Sequence, residues 1–132
     1  MVCLDTAFLA DLFRKNPDAE RKLAVLVNKK VTLSTTVITI AELYYGAYKS
    51  RNVEEEKGKV AGVLDSFSIL ELHTWAAEKF GEISFALEKT GQRIHVRDVL
   101  IGAIAISSGE TTIVTRNSKD FSRIPELTVV TY

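Results

Sequence analysis

Short apolar runs rich in β-branched residues alternate along the chain with longer stretches whose apolar residues recur at helical spacing. Five short runs are apolar almost throughout, which is typical of strands covered on both faces: VCLD (residues 2–5), VTLST (31–35), SILEL (68–72), TTIVT (111–115) and LTVVTY (127–132). Strands that alternate with helices predict βαβ units and a parallel sheet. We therefore expect an α/β protein with three layers, α/β/α, and a mainly parallel sheet of about five strands.

The segments between these runs carry signals for the beginning and end of helices. In NPDAERKLAVLVNKK, Asn16 is suited to cap a helix whose first residue is Pro17. The stretches TWAAEKFGEISFALEKTG and DVLIGAIAISSG each close on a glycine, Gly91 and Gly109, as helices often do. The charged segment RNVEEEKGK predicts the solvated start of another helix. Because no linker, repeat or low-complexity segment divides the chain, we expect a single domain over residues 1–132.

Composition and charge limit the class of protein. A chain of 132 residues with 46% hydrophobic content can bury about two-thirds of its unfolded surface without disulfides. Its 17 basic and 17 acidic residues cancel, so any binding of nucleic acid must depend on local charge. The single cysteine, Cys3, excludes an internal disulfide and is expected to be a buried strand residue. With no leader pattern and no apolar run of the roughly 18 to 20 residues that span a bilayer, we expect a cytoplasmic protein without membrane contact.

Three acidic residues are expected where strands give way to helices. Asp5 closes the first strand, Glu42 is placed in the first turn of the helix after the second strand, and Asp98 opens the apolar helix of HVRDVLIGAIAISSG. In an open parallel sheet the ligand crevice lies beyond the carboxyl ends of the strands. Carboxylates gathered there repel one another unless a cation neutralises them, and all-oxygen ligands favour Mg²⁺ or Mn²⁺ over zinc. Such a metal can activate water for attack on a phosphodiester.

Each acid also has a simpler explanation in local helix chemistry. Asp5 would cap the helix that follows it. Thr39 and Glu42 have the spacing of a capping box, in which Glu42 reaches back to the Thr39 N–H. Asp98 would interact favourably with the dipole of its helix. The capping and metal-binding explanations both remain open at this point.

A later strand end, VTRNSKDF, adds further candidates beside the acids. Asn117 and Asp120 are suited either to the site or to an ordinary turn between strand and helix. Thr115 could orient a carboxylate, although a hydroxyl at a strand end often serves its own backbone. Arg97 and Arg116 flank the proposed acids, and their guanidinium groups suit bidentate phosphate contact or a salt-bridged surface.

Histidine and tyrosine contribute less to the expected chemistry. His73 and His95 are poorly placed for a pair, and a metal-activated water requires no histidine base. His95, just before the Asp98 helix, is the better candidate of the two, as a substrate contact. Tyr44 or Tyr45 would lie beside Tyr48 on the Glu42 helix, either packed in the core or lining a surface for a partner or a dimer.

Four segments, LDTAFLADL, ITIAELYYGA, RDVLIGAIAI and TIVTRNSKDF, resemble in order and separation the four motifs of PIN-domain ribonucleases, particularly the VapC toxins of toxin–antitoxin pairs. The resemblance spans Leu4 to Phe121. It implies a parallel sheet between helices and endonucleolytic cleavage of RNA with Mg²⁺ or Mn²⁺. It also implies that Asp5, Glu42 and Asp98 are catalytic acids that bind the metal.

The same resemblance leaves the last motif divided between two positions. Some PIN proteins have an acid where Asn117 stands, and others have it where Asp120 stands. We take Asp120 as a fourth catalytic acid and Asn117 as a hydrogen-bonding partner. Ala7 stands where many relatives have Asn, so a polar contact near Asp5 is expected to be absent. The resemblance further implies a homodimer and an antitoxin whose peptide covers the active-site groove.

Two other functions are compatible with the sequence. One is a PIN-type nuclease or related phosphodiesterase that matures RNA without an antitoxin. The other is a non-catalytic interaction module whose acids serve only as helix caps. A phosphoacceptor receiver domain is disfavoured, because it needs an acidic pair after the first strand and LDTA supplies one acid.

Overall fold

Five strands and seven helices alternate along the chain in the computed structural model, which describes residues 1–132. The strands are β1 (Val2–Leu4), β2 (Leu33–Thr36), β3 (Ser68–Leu70), β4 (Thr112–Val114) and β5 (Thr128–Val130). The helices are α1 (Thr6–Phe13), α2 (Pro17–Asn28), α3 (Val37–Lys49), α4 (Val53–Ser66), α5 (Thr74–Lys89), α6 (Val96–Ser107) and α7 (Ser118–Phe121). Each predicted strand is present but shorter than its apolar run. In β1 this is because Asp5 leaves the strand to cap α1.

The strands form one sheet in the order β3-β2-β1-β4-β5, and every neighbouring pair is parallel. The chain builds outward from β1 through β2 to β3 and then crosses to the other side of β1 for β4 and β5. The strand order therefore reverses between β1 and β4, where Cys3 pairs with Ile113 and Leu4 with Val114. Ligands of open α/β sheets bind at the carboxyl side of such a reversal.

Helices cover both faces of the sheet, which confirms the predicted α/β/α layers. Val114 packs in a buried cluster with Leu4 and Phe8, on the side of α1 to α4. Its neighbour Ile113 packs in a second cluster with Val99 and other residues of α5 to α7. Successive residues of a strand point to opposite faces, so one short strand serves two cores.

The helix-end signals and the expectation for Cys3 are also confirmed. Asn16 caps α2 by accepting hydrogen bonds from the two N–H groups of Asp18 and Ala19. Gly91 and Gly109 follow α5 and α6 with φ of 70° and 84°, a conformation that glycine adopts without strain. Cys3 is fully buried, and its burial is the main cause that raises the thiol pKa to about 12. No helix has both the length and the apolarity required to cross a membrane.

Candidate active site

The Asp5 side chain links the ends of β1 and β4. One oxygen, Oδ1, accepts the Phe8 N–H at 2.9 Å, so the predicted helix cap is present. The other, Oδ2, accepts the hydroxyl of Thr115 at 2.5 Å, so Thr115 does orient a carboxylate. Burial raises the pKa of Asp5 to about 6 and the charge of Asp98 adds to the rise, against the two hydrogen bonds and the Arg116 charge, which lower it. Capping therefore explains the contact of only one of the two carboxylate oxygens of Asp5.

Asp98 lies in the first turn of α6 without capping it. The helix begins at Val96, two residues earlier than predicted, and its cap is His95. Asn117 Nδ2 donates to Asp98 Oδ2 at 3.0 Å and is 3.2 Å from Asp120 Oδ2. Burial is the main cause that raises the pKa of Asp98, and the charges of Asp120 and then Glu42 raise it further. Asp98 therefore lies close enough to Asp120 and to Glu42 to be repelled by both.

The bonds of Asn117 distinguish between its two predicted roles. Although Asn117 precedes α7, its side chain makes no hydrogen bond to the backbone of that helix. Its amide lies between the carboxylates of Asp98 and Asp120 instead. Asn117 therefore hydrogen-bonds to these acids and does not cap α7, and its part in a functional site stays a prediction.

The structure corrects two expectations for Glu42. Because α3 begins at Val37, Glu42 lies in the second turn and not in the first. The capping box is also wrong: Thr36 caps α3 and already accepts the Thr39 N–H at 3.1 Å. The Glu42 carboxylate instead accepts the Thr6 hydroxyl at 2.7 Å. Sequence reasoning missed Thr6, although a hydroxyl directly after Asp5 at a strand–helix corner was a usable signal.

The two arginines reach carboxylates that the sequence did not pair with them. Arg97 Nε lies 3.3 Å from Glu42 Oε2. Arg116 Nη1 donates to both oxygens of Asp11, at 2.9 and 3.1 Å, on the buried side of α1. Sequence reasoning missed Asp11, because Arg116 lies 105 residues away in the chain and no local pattern signals the pair.

Both histidines serve as helix caps, which accounts for one ring nitrogen of each. His73 Nδ1 accepts the Ala76 N–H at the start of α5, and His95 Nδ1 accepts the Arg97 N–H at the start of α6.

The tyrosines divide between the two predicted settings. Tyr44 packs against the core, whereas Tyr45 and Tyr48 are exposed on α3.

The carboxylates of the site are held apart by different partners. No three acidic, histidine or cysteine side chains converge closely enough in this arrangement to hold a metal ion jointly. Asp5 is bonded to Thr115, Asp98 to Asn117 and Glu42 to Thr6. The chemistry of the donors nonetheless fits Mg²⁺ or Mn²⁺, since all are oxygens and the repulsion among the acids is what a cation relieves. Metal binding by Asp5, Glu42 and Asp98 stays a prediction.

Comparisons of sequence relate almost the whole chain to one family. The sequence model of the PIN domain matches residues 2–127. Ribonuclease VapC2 of Rickettsia felis is 34% identical over 124 residues, which cover 94% of this chain and 92% of that protein. The tRNA(fMet)-specific endonuclease VapC of Salmonella typhimurium is 31% identical, over 96% of this chain and 93% of its own.

Comparisons of structure lead to the same group. The VapBC2 complex of Rickettsia felis, solved with a DNA fragment from its promoter, contains a chain with a TM-score of 0.89 and 32% identity, over 100% of this chain and 99% of its own. DNA-bound VapBC from Salmonella typhimurium matches with a TM-score of 0.85 and 27% identity, over 98% and 96% of the two chains. The sequence and structure matches span the same strands and helices that carry the four motifs. The chain therefore belongs to the PIN-domain family and is a VapC-type member of it.

Proposed function

We propose that residues 1–132 form a single PIN domain that cleaves RNA endonucleolytically with Mg²⁺ or Mn²⁺ and acts as the toxin of a toxin–antitoxin pair in the cytoplasm. The observation that carries the proposal is the position of Asp5, Asp98 and Glu42 beside the strand reversal, where burial, and then the charges of Asp120 and Glu42, raise the pKa of Asp98. Buried acids with raised pKa values, as at Asp5 and Asp98, are typical of functional sites. The relatives named as VapC ribonucleases support the same reaction class.

In this proposal the acids have two roles. Asp5, Asp98 and Glu42 hold the metal through their carboxylate oxygens. A bound Mg²⁺ or Mn²⁺ supplies an activated water and neutralises charge at the scissile phosphate. Asp120 shares the amide of Asn117 with Asp98 and is suited to accept a proton at its carboxylate.

Three neighbouring side chains orient these carboxylates. The Thr115 hydroxyl holds Oδ2 of Asp5, and the Thr6 hydroxyl holds Oε1 of Glu42. The Asn117 amide holds Oδ2 of Asp98. These hydrogen bonds fix the direction of each carboxylate, which is the usual contribution of outer residues at a metal site.

The expected partners are RNA, an antitoxin and a second copy of the chain. Arg97 and Arg116 are candidate contacts for RNA phosphates, since one guanidinium group can donate two parallel hydrogen bonds to the oxygens of a phosphate. An antitoxin partner is supported by the VapBC complexes among the structural neighbours. The exposed Tyr45 and Tyr48 offer aromatic surface for the antitoxin or the dimer.

The test is cleavage of labelled RNA by purified protein freed of any partner. Transfer RNA and an unstructured RNA are incubated with Mg²⁺, with Mn²⁺ or with EDTA, and Asp98→Asn is the matched inactive variant. Cleavage by the wild-type protein that requires metal and Asp98 supports the proposal. Protein that binds no metal and cuts no RNA would identify an interaction module. Metal-dependent cleavage without toxicity on expression, and without an antitoxin gene beside it, would identify a maturation nuclease.

A further inference from the structure

Asp11 is a buried carboxylate that the proposed reaction does not use. It lies on α1 and is 3% exposed, yet three side chains bind it, two of them from distant parts of the chain. Tyr132 donates its hydroxyl to Oδ2 at 2.5 Å, and Arg14 Nη1 lies 3.1 Å from Oδ1. Arg116 contacts both oxygens. A buried charge is tolerated only when it is paired and hydrogen-bonded, so Asp11 constrains the groups around it.

Arg116 is the partner that connects Asp11 with the candidate active site. It stands between Thr115, which donates to Asp5, and Asn117, which donates to Asp98. Three consecutive residues after β4 thus bind different acids. Loss of the Arg116–Asp11 pair is therefore expected to displace Thr115 and Asn117, since each is joined to Arg116 by a single peptide bond.

The guanidinium of Arg116 is only partly used by this pair. Nη1 alone bonds to Asp11, while Nη2 and Nε make no hydrogen bond to the protein. The side chain is 59% exposed although its partner is buried. One edge of the guanidinium is therefore fixed by the protein, and the donors that remain are open to an anion from solution.

We infer that Asp11 is a positioning residue, which holds Arg116 beside the acids so that its free N–H groups bind a phosphate of the RNA backbone. The inference rests on the proposed function and assigns its substrate contact. An arginine that is already held in place loses less conformational freedom on binding than a free one, and this loss is part of the cost of binding. Arg116 thus supplies positive charge for the phosphate on a chain whose basic and acidic residues cancel.

The experiment measures RNA affinity without cleavage. A labelled single-stranded RNA is titrated with the protein in EDTA, at several salt concentrations, with fluorescence anisotropy as the readout. We expect Asp11→Asn and Arg116→Gln each to weaken binding about tenfold, the loss expected for a charged hydrogen bond. Each should also flatten the slope of log affinity against log salt by about 0.7, the value for one phosphate contact with a single strand. A merely structural role for Asp11 would not change this slope.

Two comparisons separate positioning from other effects. The double variant should bind as weakly as Arg116→Gln alone, because Asp11 acts through Arg116. Arg14→Ala is the matched control, since it removes another cation bound to Asp11 from a side chain that is 67% exposed. It should bind RNA like the wild-type protein.

Several results would overturn the inference. These are wild-type affinity in Asp11→Asn, additive losses in the double variant, or an equal loss in Arg14→Ala. If Asp11→Asn does not fold, Asp11→Glu keeps the buried charge and displaces Arg116; its affinity must then lie below that of the wild type. If the wild-type protein cleaves RNA while these variants bind RNA normally, the roles of Asp11 and Arg116 fail and the proposed function stands. A wild-type protein that neither binds nor cleaves RNA would overturn the proposed function and this inference together.

Discussion

Arg97 Nε lies 3.3 Å from Glu42 Oε2, so a cation of the chain itself pairs with one of the proposed metal-binding carboxylates. A metal ion and the guanidinium then compete for the same acid. We predict that Arg97→Gln raises the affinity for Mn²⁺ about two- to fivefold, the range expected from an ion pair that is partly exposed. The measurement is isothermal titration calorimetry on the RNA-free protein.

Arg93→Gln provides the control for the Arg97 prediction. Arg93 is also exposed, but it pairs with Glu88, away from the acids. The change in overall charge is the same in both variants, so only Arg97→Gln should bind Mn²⁺ more tightly. Equal affinities in the two variants would mean that Arg97 does not compete for Glu42.

A second prediction concerns charge removal at the acids. Asp98→Asn and Glu42→Gln should abolish most RNA cleavage, while the metal-free proteins unfold at the same temperature as the wild type or a higher one. The reason is that each swap keeps a hydrogen-bond acceptor for Asn117 or Thr6 and relieves repulsion. Cleavage assays and thermal melts in EDTA test this directly.

Asp18 is the matched control for Asp98, because it also lies in the first turn of a helix. Asp18→Asn should lower the free energy of unfolding by about 0.3–1 kcal/mol through the loss of its interaction with the dipole of α2 and of its exposed ion pair with Arg21. RNA cleavage should be unchanged in this variant. If Asp98→Asn behaves in the same way, Asp98 serves its helix and not a metal.

Metal should stabilise the fold by mass action. At a concentration of Mn²⁺ one hundred times its Kd, the free energy of unfolding should rise by about 2.7 kcal/mol. Melting temperatures measured across a Mn²⁺ titration should therefore climb for the wild type and much less for Asp98→Asn. Superimposable melts of the wild type with Mn²⁺ and with EDTA would refute a metal site in this crevice.

Tyr132 gives the protein a dependence on alkaline pH. Burial, and then its hydrogen bond to Asp11, raise the pKa of the Tyr132 phenol above the ordinary value near 10. A pKa that is higher in the folded state means that the phenol contributes stability below pH 10 and loses it as the pH rises further. Tyr132→Phe keeps the edge contact with the Phe8 ring and removes only the hydroxyl.

We predict that Tyr132→Phe is less stable than the wild type near pH 7, by about 1 kcal/mol for one hydrogen bond. The difference in the free energy of unfolding should narrow between pH 10 and 11. In this range the Tyr132 phenol of the wild type ionises in the unfolded state but not in the folded state, and this lowers the stability of the wild type only. Urea unfolding at each pH is the measurement. Tyr48→Phe, at an exposed position, should show no such convergence; a constant difference for Tyr132→Phe would contradict the assignment.

The sequence by itself determined the elements, their order and the family. Apolar runs bounded by turn residues, the Asn16 cap and the glycines after α5 and α6 act over a few residues, so they can be identified before the fold is known. Asp5 was identifiable in the same way, because both explanations of this acid, a helix cap and a metal ligand, require it at the end of a strand. The parallel direction of the strands also followed from the alternation of strands and helices.

Only the tertiary structure decided which partners the site residues have. Glu42 lies 36 residues from Thr6, and Asp11 lies 121 residues from Tyr132, yet each pair shares a hydrogen bond. The same structure replaced the predicted capping box of Glu42 with contacts from other helices. Hydrogen bonds and ion pairs act over a few ångströms in space. Because the fold brings together groups that are far apart along the chain, their positions in the sequence do not predict these contacts.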